Sequence, residues 1–236
     1  MIFTFVHTTD LHGRRGLLGS LPAPSDSTIL LDSGDAISGS CTVFRMREPV
    51  LSDMREAGFS AMAMGNREYS YFPAVAGMRV AEAGFPVLAA NVLFAGKGVG
   101  VRPFVILERL GFRIAVIGLA PVQFLGVPFL SALCGSRFVS YRDALRAVEP
   151  EVSSADLRIL LSHSGLREDV ETAEEFGFID LVLAGHSHMR FKEPIYVSGV
   201  PIIHSGAFGE SYSEVKVEMP GGKLAGFRTV FPEGGK

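Results

Sequence analysis

The fold is decided near the start of the chain, by the residues IFTFVHTTDLHGRR (2–15). The first half, Ile2–Thr8, is a largely apolar and β-branched run, which predicts a strand buried in a sheet. Asp10 and His12 follow this strand directly, and carboxylate with imidazole is a typical set of metal ligands. The stretch therefore predicts a strand with metal-binding side chains at its carboxyl end.

Eight more apolar runs predict strands, and helical segments alternate with them. The runs are residues 28–31, 61–64, 85–89, 104–107, 113–119, 157–161, 181–184 and 201–204. The helical segments are 43–57, 71–83, 141–148 and 166–176, with Gly58, Gly84 and Gly177 where helices stop. This alternation predicts α/β layering. A hairpin with strands 211–219 and 224–231 around Pro220-Gly221-Gly222 predicts a mixed sheet, and we expect two sheets packed together.

Length and composition favour one globular domain, residues 1–236. The chain is 47% hydrophobic and 20% charged, which is a composition that can fill a core. Its formal net charge of −3 gives no protein-wide positive field, so we expect neither nucleic acid nor a membrane surface as a partner. The first residues lack a signal-peptide pattern, and no apolar run approaches the ~20 residues of a membrane span. We therefore expect a cytoplasmic protein, and its oligomeric state is left open.

Two features outside the regular elements allow more than one interpretation. Residues 120–138, which mix apolar side chains with Pro and Gly, could cap a site or form a dimer contact, but a buried irregular loop is the simpler interpretation. Cys41 and Cys134 belong to no CxxC pair. We expect them to be small buried apolar side chains rather than a disulfide or a thiolate metal site.

Metal-capable side chains recur directly after five predicted strands. Each motif alone is weak, since a lone histidine is more often structural and a Gly-Asp or Gly-Asn pair also suits a turn. Together they contain four of the six histidines, and side chains at strand ends converge on one crevice. The motifs are Asp10-Leu11-His12, Gly34-Asp35, Gly65-Asn66-Arg67-Glu68, Ser162-His163-Ser164-Gly165 and Gly185-His186-Ser187-His188.

These motifs carry a family resemblance. With the neighbouring residues 7–14, 32–35, 89–92 and 205–209, the chain resembles the calcineurin-like metallophosphoesterase superfamily, in particular the catalytic domain of the 5′-nucleotidase family. The resemblance implies an α/β fold with four layers, an α-β-β-α sandwich of two mixed β-sheets flanked by helices. It also implies a metal-dependent phosphoric ester hydrolase with two divalent ions, for which Mn, Zn, Fe and Co are the candidates.

The resemblance also assigns the ligands. Asp10, His12 and His188 would hold one ion, Asn66, His163 and His186 the other, and Asp35 would bridge the two. Two cations ~3.5–4 Å apart can clamp a phosphate and lower the pKa of a bridging water. The resulting hydroxide would attack phosphorus in line, and Asn66 would help to position the phosphoryl oxygens.

The substrate is less defined than the metal centre. We expect a small phosphorylated molecule, with nucleotides among the candidates. Nucleotide-hydrolysing relatives carry a C-terminal domain that binds the nucleoside, and we expect no such domain after the terminal hairpin. Arg14 and Arg15 could contact an anionic substrate, although surface arginines are the commoner explanation.

Two positions depart from the family pattern. Members usually have His directly after the motif Asn and, in the 5′-nucleotidase branch, Asp three residues further on; here Arg67 and Ser70 occupy these positions. A guanidinium stays charged at ordinary pH, so Arg67 cannot donate a proton, but it can stabilise a leaving group that departs unprotonated. Arg67 could instead simply pair with Glu68 or another acid. His7 and His204 could supply the missing acid, His204 being the better candidate, although a structural role is more common.

Three functions remain open on the sequence alone. The leading hypothesis is a dinuclear hydrolase of phosphoric esters or anhydrides. The alternative is a metal-binding pseudoenzyme or regulatory module, because the metal ligands are present while the acid pair is lost. A hydrolase of sulfur esters is a third possibility, for which the sequence gives no positive sign.

Overall fold

The computed structural model describes residues 1–43, 45, 47–95 and 99–231. Five α-helices are formed: α1 (Pro49–Ala57), α2 (Pro73–Ala83), α3 (Pro128–Cys134), α4 (Tyr141–Val152) and α5 (Leu166–Glu175). The strands are β1 (Ile2–Thr8), β2 (Thr28–Asp32), β3 (Phe59–Ala63), β4 (Val87–Leu88), β5 (Val92–Phe94), β6 (Phe104–Arg109), β7 (Phe112–Leu119), β8 (Ser136–Phe138), β9 (Leu157–Ser162), β10 (Leu181–Ala184), β11 (Ile195–Val197), β12 (Val200–His204), β13 (Tyr212–Glu218) and β14 (Lys223–Val230). None of the helices in these residues is long and apolar enough to cross a membrane.

The strands form two large mixed sheets. One has the order β14-β13-β1-β2-β3-β4, and the other has the order β11-β12-β10-β9-β7-β6. In the first, β1, β2 and β3 run parallel while β13 pairs antiparallel with β1 and with β14. In the second, β7, β9, β10 and β12 run parallel and the edge strands β6 and β11 run antiparallel. The strands β5 and β8, which the sequence did not predict, pair antiparallel in a third, two-stranded sheet.

Three apolar clusters define the layers. The central cluster lies between the two large sheets, with residues such as Phe5 of β1 and Leu161 of β9. A second cluster packs α1 and α2 on the outer face of the first sheet, and a third packs α4 and α5 on the outer face of the second. The predicted α-β-β-α sandwich of two mixed sheets is therefore confirmed.

Helix boundaries differ from the sequence prediction where proline begins the helix. Residues 43–48 were included in the first predicted helix, yet α1 begins at Pro49; positions 44 and 46 lie outside the described residues. Proline suits the first helical position because its φ is fixed and its missing N–H would be unpaired there anyway, while it forces the preceding residue out of the helical region. α2 begins at Pro73 for the same reason.

The predicted helix ends are correct in two cases of three. Gly58 and Gly84 cap α1 and α2 in the left-handed conformation, with φ of 85° and 69°. The prediction for Gly177 is wrong, because α5 ends at Glu175 and Phe176 is its capping residue. The terminal hairpin is confirmed as β13 and β14, paired antiparallel.

Residues 120–138 do not form the buried irregular loop that the sequence favoured. They contain α3 and β8, and the α3 side chains Phe129 and Leu133 are 73% and 71% exposed. Pro128 starts this helix, and Gly135 ends it in the left-handed conformation. Of the two cysteines, Cys134 is buried and Cys41 is partly exposed, and both are free.

Candidate metal centre

The five motifs meet at one edge of the sandwich because they follow the carboxyl ends of parallel strands. The loops after β1, β2 and β3 extend from one sheet, and the loops after β9 and β10 extend from the other. Backbone hydrogen bonds tie the first two loops together, since Asp10 N donates to Gly34 O and His12 N donates to Asp35 O, both at 2.9 Å. The crevice predicted from strand ends is therefore formed.

Asp10 lies at the centre of the predicted ligands. Its Oδ1 lies 3.3 Å from Nε2 of His188 and 3.7 Å from Nε2 of both His12 and His163. Asp35 contacts the same set, with Oδ1 3.5 Å from His163 Nε2 and Oδ2 3.8 Å from His12 Nε2. The rings of His163 and His186 are 5.1 Å apart, between centroids. Contacts thus join six of the seven predicted ligands.

Four buried atoms in this cluster lack a hydrogen-bond partner in the described part of the chain. They are Asp10 Oδ1, His12 Nε2, Asn66 Oδ1 and His163 Nε2. The Asn66 atom among these four brings the seventh predicted ligand into the same description. Buried polar atoms are nearly always hydrogen-bonded, so a cluster of unpaired acceptor-type atoms requires a partner of another kind. Two groups could each hold an ion by their spacing, Asp10 with His12 and His188, and Asp10 with Asp35 and His163.

The hydrogen bond of the buried His163 to Ser33 O suits metal binding through the other ring nitrogen. Its Nδ1 lies 2.6 Å from the carbonyl oxygen of Ser33, which can only accept, so Nδ1 carries the proton in the neutral ring and Nε2 keeps its lone pair. Burial lowers the pKa of His163, but the Asp35 carboxylate 3.5 Å from its Nε2, together with the charge of Asp10, outweighs burial and raises it to about 9. A strong attraction for positive charge therefore exists at Nε2.

The pKa of the Asp10 carboxyl is shifted by the neighbouring imidazoles. Burial would raise its pKa, but the neighbouring His12 imidazole, 3.7 Å away, and the charge of His163 outweigh burial and lower the pKa to about 2. Its second oxygen is fixed by the protein, since Oδ2 accepts hydrogen bonds from Thr9 Oγ1 at 2.7 Å and from His186 N at 3.0 Å. Asp10 is thus an ionised, oriented carboxylate with one free oxygen.

Backbone strain is concentrated here. Within the described residues, eight non-glycine residues have positive φ, and five are predicted ligands: Asp10, His12, Asp35, His186 and His188. Such conformations cost free energy in non-glycine residues and tend to occur at functional sites.

Arg67 pairs with an acid other than Glu68, namely the predicted ligand Asp35. Its backbone N donates to Asp35 Oδ1 at 2.8 Å, and its Nε lies 3.7 Å from Asp35 Oδ2. Its Nη1 donates to the carbonyl oxygens of Ser38 and Gly39 at 3.2 and 3.0 Å. The guanidinium is therefore fixed beside a predicted ligand.

Glu68 is a possible partner of Arg67 on the sequence alone, but in the structure it has another role. Its buried carboxylate accepts hydrogen bonds from four backbone N–H groups, at 2.9–3.2 Å, from Gly65, Asp35, Ala36 and Ile37. It thus joins the loops after β2 and β3 from beneath the site. The signal in the sequence was an acid inside a ligand motif, but its four partners could not be deduced from spacing.

Neither spare histidine reaches the predicted ligands through a hydrogen bond. His7 is fully buried between the hydroxyls of Ser33 and Ser205, and burial, with the charge of His204, lowers its pKa to about 3. His204 is 1% exposed, with Nδ1 2.8 Å from Ser187 Oγ and Nε2 3.3 Å from Asp169 Oδ2. Both rings are thus engaged by side chains other than the predicted ligands.

The two arginines after the first motif are exposed. Arg15 forms an ion pair with Asp53, which engages its guanidinium away from the ligand cluster. Arg14 is exposed on the same loop.

Comparisons with known proteins find similarity to 5′-nucleotidases and to a calcineurin-like phosphoesterase. No family model matches the sequence. The chain is 32% identical over 191 residues to a probable 5′-nucleotidase of Treponema pallidum, covering 78% of this chain and 32% of that protein. It is 30% identical over 224 residues to 5′-nucleotidase of Bos taurus, covering 81% of this chain and 38% of that protein. The chain thus spans between 32% and 38% of the length of these relatives.

Two solved structures have the same fold. The 5′-nucleotidase precursor of Thermus thermophilus superposes with a TM-score of 0.78 at 20% identity, over 98% of this chain and 54% of the other. The calcineurin-like phosphoesterase YfkN of Bacillus subtilis superposes with a TM-score of 0.72 at 17% identity, over 97% and 90%.

Proposed function

Because the chain belongs to the calcineurin-like metallophosphoesterases and resembles the catalytic domain of 5′-nucleotidases, we propose that it hydrolyses phosphoric esters or anhydrides with two divalent metal ions. One observation carries the proposal. Four buried oxygen and nitrogen atoms, one each of Asp10, His12, Asn66 and His163, have no hydrogen-bond partner in the described residues, and those of Asp10, His12 and His163 lie close together. Cations are the partners that such acceptor-type atoms would bind.

The spacing of the side chains supports two ion positions. Asp10, His12 and His188 form one group, and Asp10, Asp35 and His163 form the other, to which the family resemblance adds Asn66 and His186. Asp35 would be shared, since its two oxygens contact a histidine of each group. When bound, two such ions would bind phosphoryl oxygens, offset their negative charge and lower the pKa of a water nucleophile.

Arg67 would stabilise the charge that develops on the phosphoryl group and its leaving group. Its guanidinium is fixed by two carbonyl oxygens and lies 3.7 Å from Asp35, so it needs little reorganisation during the reaction. It cannot supply a proton. The expected substrates therefore have leaving groups that depart unprotonated, such as phosphoanhydrides and aryl esters. Nucleotides are candidates because relatives are nucleotidases.

The test is a series of substrates graded by leaving-group pKa, assayed after reconstitution with Mn²⁺, Zn²⁺, Fe²⁺ or Co²⁺. The wild type should hydrolyse aryl phosphates and anhydrides markedly faster than alkyl phosphates. Arg67→Ala should reduce kcat for these substrates by a factor on the order of 10² without changing the metal content.

A second variant tests the missing acid directly. Arg67→His combined with Ser70→Asp should flatten the dependence on leaving-group pKa, because an imidazole titrating near neutrality can donate a proton. Ser70 itself accepts a hydrogen bond from Phe72 N at 3.2 Å, which is a structural role. Equal wild-type rates with alkyl and aryl phosphates would contradict the role proposed for Arg67.

The alternative is a metal-binding pseudoenzyme or regulatory module. It is favoured by one observation, that Arg67 and Ser70 occupy the positions of the family's acid pair while all seven predicted ligand residues are present in the sequence. Two bound ions with no turnover of any substrate in the series would establish this alternative. Absence of bound metal after reconstitution would contradict both functions.

A further inference from the structure

Phe208 lies in the turn after β12 and has an unusual backbone. Its φ is 60°, and its N–H donates to the carbonyl oxygen of Asp10 at 2.7 Å. A left-handed conformation is rare for a bulky aromatic residue and costs on the order of 1–3 kcal/mol. Phe208 shares this conformation with five predicted metal ligands, although it has no ligand chemistry of its own.

The ring of Phe208 packs on two predicted ligands at once. Its centroid lies 4.9 Å from that of His12 and 5.0 Å from that of His188, with interplanar angles of 68° and 82°. The two imidazoles are themselves 5.1 Å apart at 82°. The three rings thus form a mutual edge-to-face cluster, which is a favoured geometry for aromatic groups.

This packing matters because hydrogen bonds do not orient these two imidazoles. A metal-binding histidine usually donates its other ring N–H to an oxygen, as His163 does to Ser33 O at 2.6 Å. Among the described residues, no side-chain hydrogen bond is made by the ring of His12 or of His188. Besides the carboxylates of Asp10 and Asp35, which lie 3.3–3.8 Å from their Nε2 atoms, ring packing is therefore the contact that can fix their orientation.

We propose that Phe208 is a positioning residue, whose ring holds His12 and His188 in the orientation that binds one metal ion. The inference rests on the proposed dinuclear centre and adds to it a residue without a polar atom in its side chain. The ion held by Asp10, His12 and His188 depends on Phe208. The ion held by Asp35, Asn66, His163 and His186 does not.

The experiment is a titration of the metal-free protein with Zn²⁺, followed by calorimetry, and with Co²⁺, followed by visible absorption. Phe208→Asn removes the ring but tolerates the left-handed conformation. It should weaken one of the two binding steps by about 10- to 100-fold, the usual effect of losing a group that orients a ligand. The Co²⁺ spectrum of that step should change, and the other step should not. Phe208→Tyr keeps the ring and should retain both steps.

Two further variants separate positioning from folding. Phe208→Gly carries a left-handed φ without strain and should reproduce the loss, even if Phe208→Asn fails to fold. Leu110→Asn is the matched control, since Leu110 has a φ of 50° and is 47% exposed in the β6–β7 turn, away from the centre. It should leave both steps unchanged.

The outcomes separate this inference from the proposed function. Wild type that binds no metal would contradict the proposed function itself. Wild type with two binding steps, and Phe208→Asn and Phe208→Gly with the same two affinities, would overturn the role of Phe208 alone.

Discussion

Gly185 shows at the scale of one residue why the centre demands particular amino acids. A Cβ placed on Gly185 would lie 2.1 Å from Thr9 Oγ1, 3.0 Å from Asp10 Oδ2 and 3.0 Å from His163 Nδ1. The separation from Thr9 Oγ1 is far below any real contact. That hydroxyl donates to Asp10, and the other two atoms belong to the predicted ligands Asp10 and His163. The loops from the two sheets therefore approach so closely here that only glycine fits.

Gly185→Ala should consequently abolish high-affinity metal binding and lower the free energy of unfolding of the metal-free protein by about 1–3 kcal/mol, because overpacking shifts backbone and side chains. Calorimetric metal titration and urea denaturation measure the two effects. Gly177→Ala is the matched control, since a Cβ there meets no atom within 4 Å. It should leave metal binding intact; a similar loss in both variants would contradict the explanation.

His7 makes a different prediction at the same scale, on stability against pH. Burial, with the charge of His204, lowers its pKa to about 3, so the folded protein keeps His7 neutral where the unfolded chain protonates it below pH ~6.5. The stability that His7 contributes is therefore fully present above pH ~6.5 and is lost as pH falls towards 3. His7→Asn, which keeps hydrogen-bonding groups but does not titrate, should remove this dependence.

The measurement is the free energy of unfolding of both metal-free proteins between pH 7.5 and 5. Wild type should lose about 2 kcal/mol more than His7→Asn over this range, from about 1.4 kcal/mol per pH unit below 6.5. Comparison with the variant cancels the other titrating groups. Parallel curves would show that His7 is protonated in the folded state as well.

At the scale of elements, the loops after β2 and β3 are held by buried charged groups. Glu68 accepts four backbone N–H groups from both loops. Arg79, which is on α2, donates to the carbonyl oxygens of Arg67, Glu68, Tyr69, Ser40 and Val43. The two side chains together satisfy donors and acceptors that irregular backbone would otherwise bury unpaired. Asp35, Asn66 and Arg67 are thus presented by loops with fixed backbones.

Glu68→Gln should loosen these loops, because an amide offers only one acceptor oxygen and turns two donors towards N–H groups. We expect a loss of about 1–3 kcal/mol in the free energy of unfolding, and weaker binding of the ion assigned to Asp35 and Asn66. Denaturation and metal titration test both. Glu175→Gln, which breaks an exposed ion pair with Arg142 far from the loops, is the control and should leave metal binding unchanged.

The elements also show what the sequence could predict. Buried strands such as β1 and β10 were predicted with the observed bounds, because a continuous apolar run has few other solutions. The ligand types were recognisable because they follow those strands. By contrast, the roles of Glu68, Arg79 and Phe208 depend on contacts between loops distant in sequence. The short strands β5 and β8 were missed because three residues carry too little pattern.

At the scale of the whole molecule, the predicted ligands are divided between the two sheets. The loops of the first sheet supply Asp10, His12, Asp35 and Asn66, and those of the second supply His163, His186 and His188. Bound cations would therefore link the sheets at one edge, in addition to the apolar cluster between them. Since the unfolded chain cannot form this arrangement, metal binding should be coupled to global stability.

Metal should accordingly raise the melting temperature, and the size of the rise in variants should rank the ligands. Free metal at 100 times the dissociation constant stabilises the folded state by about 2.7 kcal/mol per site, or roughly 5–10 °C in a protein of this size. Asp35 contacts His12 and His163, one from each group, so Asp35→Asn should reduce the rise more than His12→Ala.

Differential scanning calorimetry with and without Mn²⁺ gives the rise in melting temperature for each variant, so effects of the substitutions on the metal-free protein cancel. Asp53→Asn, at an exposed ion pair with Arg15, should keep the full rise. An equal or smaller effect of Asp35→Asn than of His12→Ala would mean that Asp35 serves a single ion, and the proposed sharing would be wrong.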